Sequence, residues 1–504
     1  MIATSPLSAL SLCIAAATAT SATHYQPRDV SAACSSLEQS WANVTYYPGN
    51  SNYTELNEDY FSADSWLSPA CIFAPTTAEQ MSGAVQILAR TGVSFAMRGG
   101  GHMPIANAAN INSSGVLLSS SGMTQLQLSK DQSTIEIGAG NKWGQVYEYL
   151  EPFKLAVIGG RSGLVGVAGF ILGGGISFFG NQYGWASANV AQFDCILANG
   201  DFVSATPTNE YSDLYWALRG GGNSFAIVTF LHLKTVSLPE VTIGQNTYNE
   251  SVSEEFLDYV IGFAHNGSGD SKAALEPMVQ SINGQLTYNA IMFYDGANTS
   301  PAALLNFTDV MQPVNSTFEV RPSMYNWTQA ADPGREALRG LRARFQVITI
   351  TADRAAVQVL HDTFLEMLES TLANVENLVA ALVFVPITEK FLTASTINGG
   401  DPMDVDTASA PYLFVEQTFL WSNASDSAKI DSFLETYNAN VTAQLSVMDN
   451  VLSPYLYLNY ADSTQDVFKG YPQDNVLKLQ SIRNKYDPNM TFTNQMPGGW
   501  KIHE

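Results

Sequence analysis

The spacing of apolar positions divides the chain into stretches of different character. Between about residues 70 and 238, short apolar runs alternate with glycine-rich turns. Val116-Leu-Leu, Thr134-Ile-Glu-Ile and Phe202-Val read as strands, and Val190 to Ala198 is a further strand-like run. Residues 79–89 place Met81, Ala84, Val85 and Leu88 on one helical side. From about 240 to 450 the pattern lengthens. A helix is expected over 354–372, and strands over 378–385 and 412–420. Strands spaced by helices imply a layered α+β lobe. The last fifty residues hold a Tyr-rich strand pattern, a helix near 476–485 and an Asp487-Pro488 stop. No internal repeat is present.

Length and charge narrow the function classes. The chain has 504 residues, 46% hydrophobic and only 14% charged, which is enough for several large cores. A formal net charge of -23 with no basic cluster argues against nucleic acid and anionic membranes as partners. Leu7 to Ala17 followed by small residues reads as a secretory signal over residues 1–22, too short to span a bilayer. Sequons at Asn43, Asn52, Asn249, Asn298, Asn306, Asn315, Asn326 and Asn440 point the same way, so a secreted glycoprotein is expected. Cys13 lies in the signal, leaving Cys34, Cys71 and Cys195. An oxidising compartment favours pairing Cys34 with Cys71, with Cys195 a buried inert thiol. His24, His232, His265, His361 and His503 are isolated in sequence, and no metal site is expected.

Three glycine loops carry the candidate chemistry. They are Arg98-Gly99-Gly100-Gly101-His102, then Gly159 through Ser162, Val165, Gly166, Gly169 and Gly173-Gly174-Gly175, then Arg219-Gly220-Gly221-Gly222-Asn223. Glycine lets backbone N–H groups approach a ligand closely, and a run of them forms a nest for pyrophosphate oxygens. None has the Gly-x-Gly-x-x-Gly form that opens a Rossmann helix.

With Tyr457-Leu-Asn459-Tyr460-Ala-Asp and Lys485-Tyr-Asp-Pro-Asn-Met-Thr-Phe492-Thr-Asn494-Gln495, these loops make the chain resemble the FAD-linked oxidases of the vanillyl-alcohol oxidase superfamily. The berberine-bridge-enzyme-like group is the nearest in pattern, and its fungal secreted members in particular. The resemblance implies a two-lobed PCMH-type FAD-binding domain and a separate α+β substrate domain, an antiparallel sheet covered by helices. The implied divisions are a signal at 1–22, an N-terminal segment at 23–66, the FAD-binding domain at 67–238, the substrate domain at 239–450 and a returning segment at 451–504. It also implies an 8α-histidyl bond between FAD and His102. Ser162 stands where many relatives carry a second linking cysteine, so a single bond is expected. Arg98, Gly99, Gly100, Gly101, Ser162, Val165, Gly166, Gly169, Gly173, Gly174, Gly175, Val228 and Asn459 are the other expected cofactor contacts.

The resemblance makes Tyr460 the expected proton acceptor. Asn459, facing the opposite way in a regular strand, is expected on the flavin. Relatives place a glutamate on a strand before a Trp. Counting back from Trp421 gives Phe414, with Glu416 two residues on and on the same face, so Glu416 is the second candidate. The implied activity is oxidation of an alcohol or related secondary metabolite by a monomer, with O2 reduced to H2O2. Val165 would line the oxygen path, and its modest bulk favours an oxidase over a dehydrogenase. An oligosaccharide oxidase, a non-catalytic flavin-binding protein and a cyclisation after oxidation are the alternatives.

Overall fold

The computed structural model describes residues 29–266 and 269–503, so the expected signal, Cys13 and His24 lie outside the described residues. Three sheets organise the chain. A four-stranded sheet runs Thr45–Tyr46, Cys71–Phe73, Val116–Ser119, Phe95–Arg98, its last three strands mutually parallel. The helix Ala78–Thr91 connects two of these strands. Thr77 caps its start by accepting from the Gln80 amide, and Gly92 at φ +68° ends it. An antiparallel sheet follows, in the order Leu126–Leu128, Thr134–Gly138, Ile227–Ser237, Val190–Ile196, Phe202–Ala205, with Leu155–Val157 also paired to Ile227–Ser237. Cys34 and Cys71 are joined by a disulfide, and Cys195 is free and buried.

A nine-stranded antiparallel sheet forms the second lobe. Its central strands are Ala273–Ile282, Val379–Ile387, Tyr412–Trp421 and Arg342–Thr351. Alternation along them sorts side chains to two faces. Ala380, Leu382 and Phe384 enter one core with Leu413 and Val415. Helices Ser253–His265, Arg354–Leu372 and Ser427–Leu445 cover that face through Phe256, Phe364 and Phe433. Ala381, Val383, Val385 and Phe414 point the other way, toward the glycine loops. The fold class is therefore α+β in two lobes, as the sequence pattern indicates.

The stretch between Asp59 and Asp64 ties the lobes together. Asp59 pairs with Arg98 at 3.7 Å and Lys142 at 3.3 Å on one side, and with Arg339 on the other. Asp64 holds both Arg342 and Arg344. Backbone bonds run from Phe61 N to Gly101 O at 2.9 Å and from Gly340 N to Phe61 O at 3.1 Å. His232, isolated in sequence, meets two carboxylates through strand register. It lies opposite Glu136, and its Nε2 is 2.9 Å from Asp194 Oδ2.

One expected element differs. The Tyr-rich segment at 457–460 is a 3-10 turn over Leu458–Tyr460 rather than a strand. Tyr457 OH accepts from the Ile176 amide at 3.1 Å and from Asn459 Nδ2 at 2.9 Å. The bond to the distant Ile176 and the local one to Asn459 outweigh the alternation of aromatic residues.

Candidate active site

The strand Phe95–Arg98 delivers the first glycine loop. Arg98 is fully buried, and its guanidinium donates to Leu56 O, to Asp59 O at 3.3 Å and to Ser119 Oγ at 2.8 Å, over the Tyr60 ring. It anchors the loop from behind and does not line the cavity. A Cβ on Gly100 would run into the Gly166 backbone, so the first and second loops touch at two glycines. Gly101 has φ +68°, a left-handed conformation that few other residues adopt. Among the described residues, none accepts a hydrogen bond from the amides of Gly100, Gly101 or His102.

These loops wall a cavity of about 470 Å³ that extends to the inner face of the large sheet. Gly99, Gly100, Gly101, His102, Ser162, Val165, Gly166, Gly169, Val228, Asn459, Tyr460 and Glu416 all line it. Gly169 has open space where a Cβ would stand. Gly173, Gly174 and Gly175 do not line it. Added side chains there would strike Asn459, Met403 and Phe170 respectively, so these glycines serve close packing instead. Asn459 and Tyr460 both face the cavity, because a 3-10 turn lacks the strand's alternation. Ser162 Oγ donates to Asp332 Oδ1 at 3.2 Å, and Asp332 pairs with Arg335 at 3.1 Å. Unbonded amides, glycines along the loops and a mostly apolar cavity fit a flavin dinucleotide.

His102 stacks on Phe61, with ring centroids 4.5 Å apart. Loss of bulk water, with Lys142 and Arg335 nearby, lowers its pKa to about 4, so the imidazole is neutral at neutral pH.

The far wall holds a charged cluster. Arg161 is 3.1 Å from Glu276 Oε1 and donates to the Tyr460 hydroxyl oxygen. Glu416 accepts from Thr418 Oγ1 at 3.0 Å. Burial, reinforced by Glu276 and opposed by Arg161, pushes the Glu416 carboxyl up to about 7. The Tyr460 phenol is raised well above its usual value, first by burial and then by Glu416 and Glu276, against a lowering from Arg161. Its environment therefore opposes the expected role of direct base, whereas Glu416 ionises near neutrality. Arg161 and Glu276 escaped the sequence reading. The signal available for Glu276 was a carboxylate interrupting the apolar strand Ala273–Ile282.

Residues 69–206 match the FAD binding domain family. The FAD-dependent monooxygenase prx3 of Penicillium roqueforti is 32% identical over 481 residues, covering 93% of both chains. The FAD-dependent monooxygenase tpcD of Cochliobolus heterostrophus is 30% identical, covering 92% of this chain and 90% of that protein. Xylooligosaccharide oxidase from Myceliophthora thermophila superposes with a TM-score of 0.74 at 20% identity, over 94% of this chain and all of its own. Berberine bridge enzyme from Eschscholzia californica gives 0.73 at 18% identity, over 93% and 99%. Fold and site define an FAD-dependent oxidoreductase. The chain belongs to the family of FAD-dependent enzymes that includes prx3 and tpcD, and it shares its fold with berberine bridge enzyme.

Proposed function

We propose that this protein is an exported oxidase that carries FAD on His102 and oxidises an alcohol on a largely apolar metabolite. One observation carries this reading. The polar cluster of Arg161, Glu276, Glu416 and Tyr460 sits in a wall where Met278, Phe345, Val379, Ala381, Val383 and Leu420 outnumber the further polar groups Gln280, Thr418 and Arg335. Such a surface fits a hydrocarbon body with one hydroxyl at the cluster. It offers few partners to an oligosaccharide, which needs a hydrogen bond for nearly every hydroxyl it buries.

FAD held along the glycine loops would supply the hydride acceptor, with O2 as the terminal oxidant and H2O2 as its product. The chain's own groups handle the proton. Glu416, as a carboxylate, accepts the substrate hydroxyl proton at its side-chain oxygen. Tyr460 holds the substrate oxygen by a hydrogen bond, and Arg161 fixes the Tyr460 oxygen while balancing Glu276. The apolar walls exclude water from the reacting carbon. Neutral His102 is the nucleophilic form of imidazole and supports a single covalent tether, because Ser162 is committed to Asp332 and offers no thiolate.

The test is anaerobic mixing with a panel of apolar alcohols, sugars and phenolics while the flavin absorbance is followed. Bleaching by an apolar alcohol, then stoichiometric H2O2 on admitting air, is the expected result. Bleaching by oligosaccharides alone would overturn the substrate assignment, and no bleaching by any compound would favour a flavin-binding protein without catalysis. Incorporation of heavy oxygen from labelled O2 into the product would make it a monooxygenase, as its relatives are named.

A further inference from the structure

The nine-stranded sheet ends at one side in the short strand Asn315–Ser316, beyond which no strand pairs among the described residues. With Glu319–Arg321 it lies along Val241–Tyr248. An open sheet edge is a template for pairing with other chains unless something blunts it. Beside the polar Asn315, Ser316 and Glu319, the edge region carries exposed apolar side chains. Val310 and Val314 are 57% and 63% exposed, and Leu305 and Val320 are exposed beside them in sequence. A contiguous apolar patch on a surface marks a place that something covers.

The same stretch carries sequons. Asn306-Phe-Thr follows Leu305 directly, and Asn315-Ser-Thr follows Val314. Asn315 lies opposite Thr247, and Asn249 stands just beyond the end of that neighbouring strand with a sequon of its own. Asn306 and Asn315 are exposed. Among the described residues, none accepts a hydrogen bond from the Nδ2 of either, the atom that a glycan would take. By contrast, the Nδ2 of Asn440, which also lies in a sequon, contacts Met367 Sδ at 3.6 Å.

We infer that N-linked glycans on Asn306 and Asn315 cover the apolar edge of the large sheet and keep it from pairing with other chains. This rests on the export reading, since only the secretory route supplies the donor. The amide nitrogen displaces the lipid carrier from the sugar, so the bond formed and the bond broken balance without a redox partner.

The full chain is produced through a yeast secretory route with a host leader replacing residues 1–22, which makes the result independent of its own export signal. Glycopeptide mapping should find Asn306 and Asn315 occupied. The Asn306→Gln/Asn315→Gln variant should load flavin normally yet elute as larger species in size exclusion. Adding Val310→Ser and Val314→Ser to that variant should return the elution to the original position. Unmodified Asn306 and Asn315 peptides would overturn the inference. So would a double variant as well dispersed as the glycosylated protein, or serine substitutions that restore nothing. Failure of export itself shows separately, as retention of the chain bearing its own first residues.

Discussion

The rings of Phe61 and His102 lie at 30° to each other with centroids 4.5 Å apart. The histidine comes from a glycine loop and the phenylalanine from the stretch that ties the lobes. Acid-precipitated protein should keep its yellow colour, and peptide mapping should place FAD on the His102 peptide alone. His102→Ala should release the flavin on precipitation. Phe61→Ala should lower the linked fraction by freeing the ring. Tethering should slow only as pH falls toward about 4, where His102 takes a proton. Colour lost to the supernatant from the wild type would refute the tether.

A proton acceptor must be ionised to act. Because Glu416 is pushed up to about 7, the rate of flavin reduction should climb with pH through that value. Glu416→Gln should flatten the climb and slow reduction by roughly 10²–10⁴-fold. Stability carries the opposite sign. Between the ordinary value of 4.5 and about 7 the unfolded chain ionises and the folded one does not, so this residue's contribution weakens as pH rises. Glu416→Gln should accordingly stabilise more above pH 7 than below 4.5, as thermal unfolding across pH would show.

Tyr460→Phe removes a hydrogen bond to the substrate rather than the proton acceptor. Flavin loading should survive, and reduction should slow by about tenfold, the rate equivalent of one such bond. The pH limb should persist. If Tyr460→Phe erases that limb while Glu416→Gln keeps it, the two roles are reversed.

Val165 lines the cavity between Ser162 and Gly166. Val165→Ile should slow reoxidation of reduced enzyme by O2 while leaving reduction by substrate nearly unchanged. Stopped-flow mixing with oxygenated buffer measures both. Sluggish wild-type reoxidation with brisk turnover on an artificial acceptor would indicate a dehydrogenase.

Elements with strong local signals were legible in the sequence. The helix Arg354–Leu372 has the expected bounds, because Asp353 caps it and its apolar positions recur at helical spacing. The loop carrying His102 was legible through its glycines. Contacts set by tertiary packing were not. Glu276 and Arg161 stand more than a hundred residues apart in the chain, and only the packing of the strand Ala273–Ile282 against the second glycine loop brings them together. Tyr457 and Asn459 read as alternating strand residues, but their bonds to Ile176 and Phe170 fold them into a turn. Gly173, Gly174 and Gly175 resemble a phosphate cradle in sequence. Only the neighbours Asn459, Met403 and Phe170 reveal their packing role.

The clasp of Asp59 and Asp64 bears on how such proteins can be recombined. Asp59 binds Arg98 and Lys142 in one lobe and Arg339 beyond it, while Asp64 holds Arg342 and Arg344 at the rim of the other. Those carboxylates lie between two strands of the first lobe's sheet, Thr45–Tyr46 and Cys71–Phe73, yet complete the join to the second. A chimera that swaps the second lobe for a relative's, cut only at its flanking loops, would leave Asp64 facing foreign side chains. The transplant that keeps the seam intact carries residues 59–66 together with the lobe they fasten.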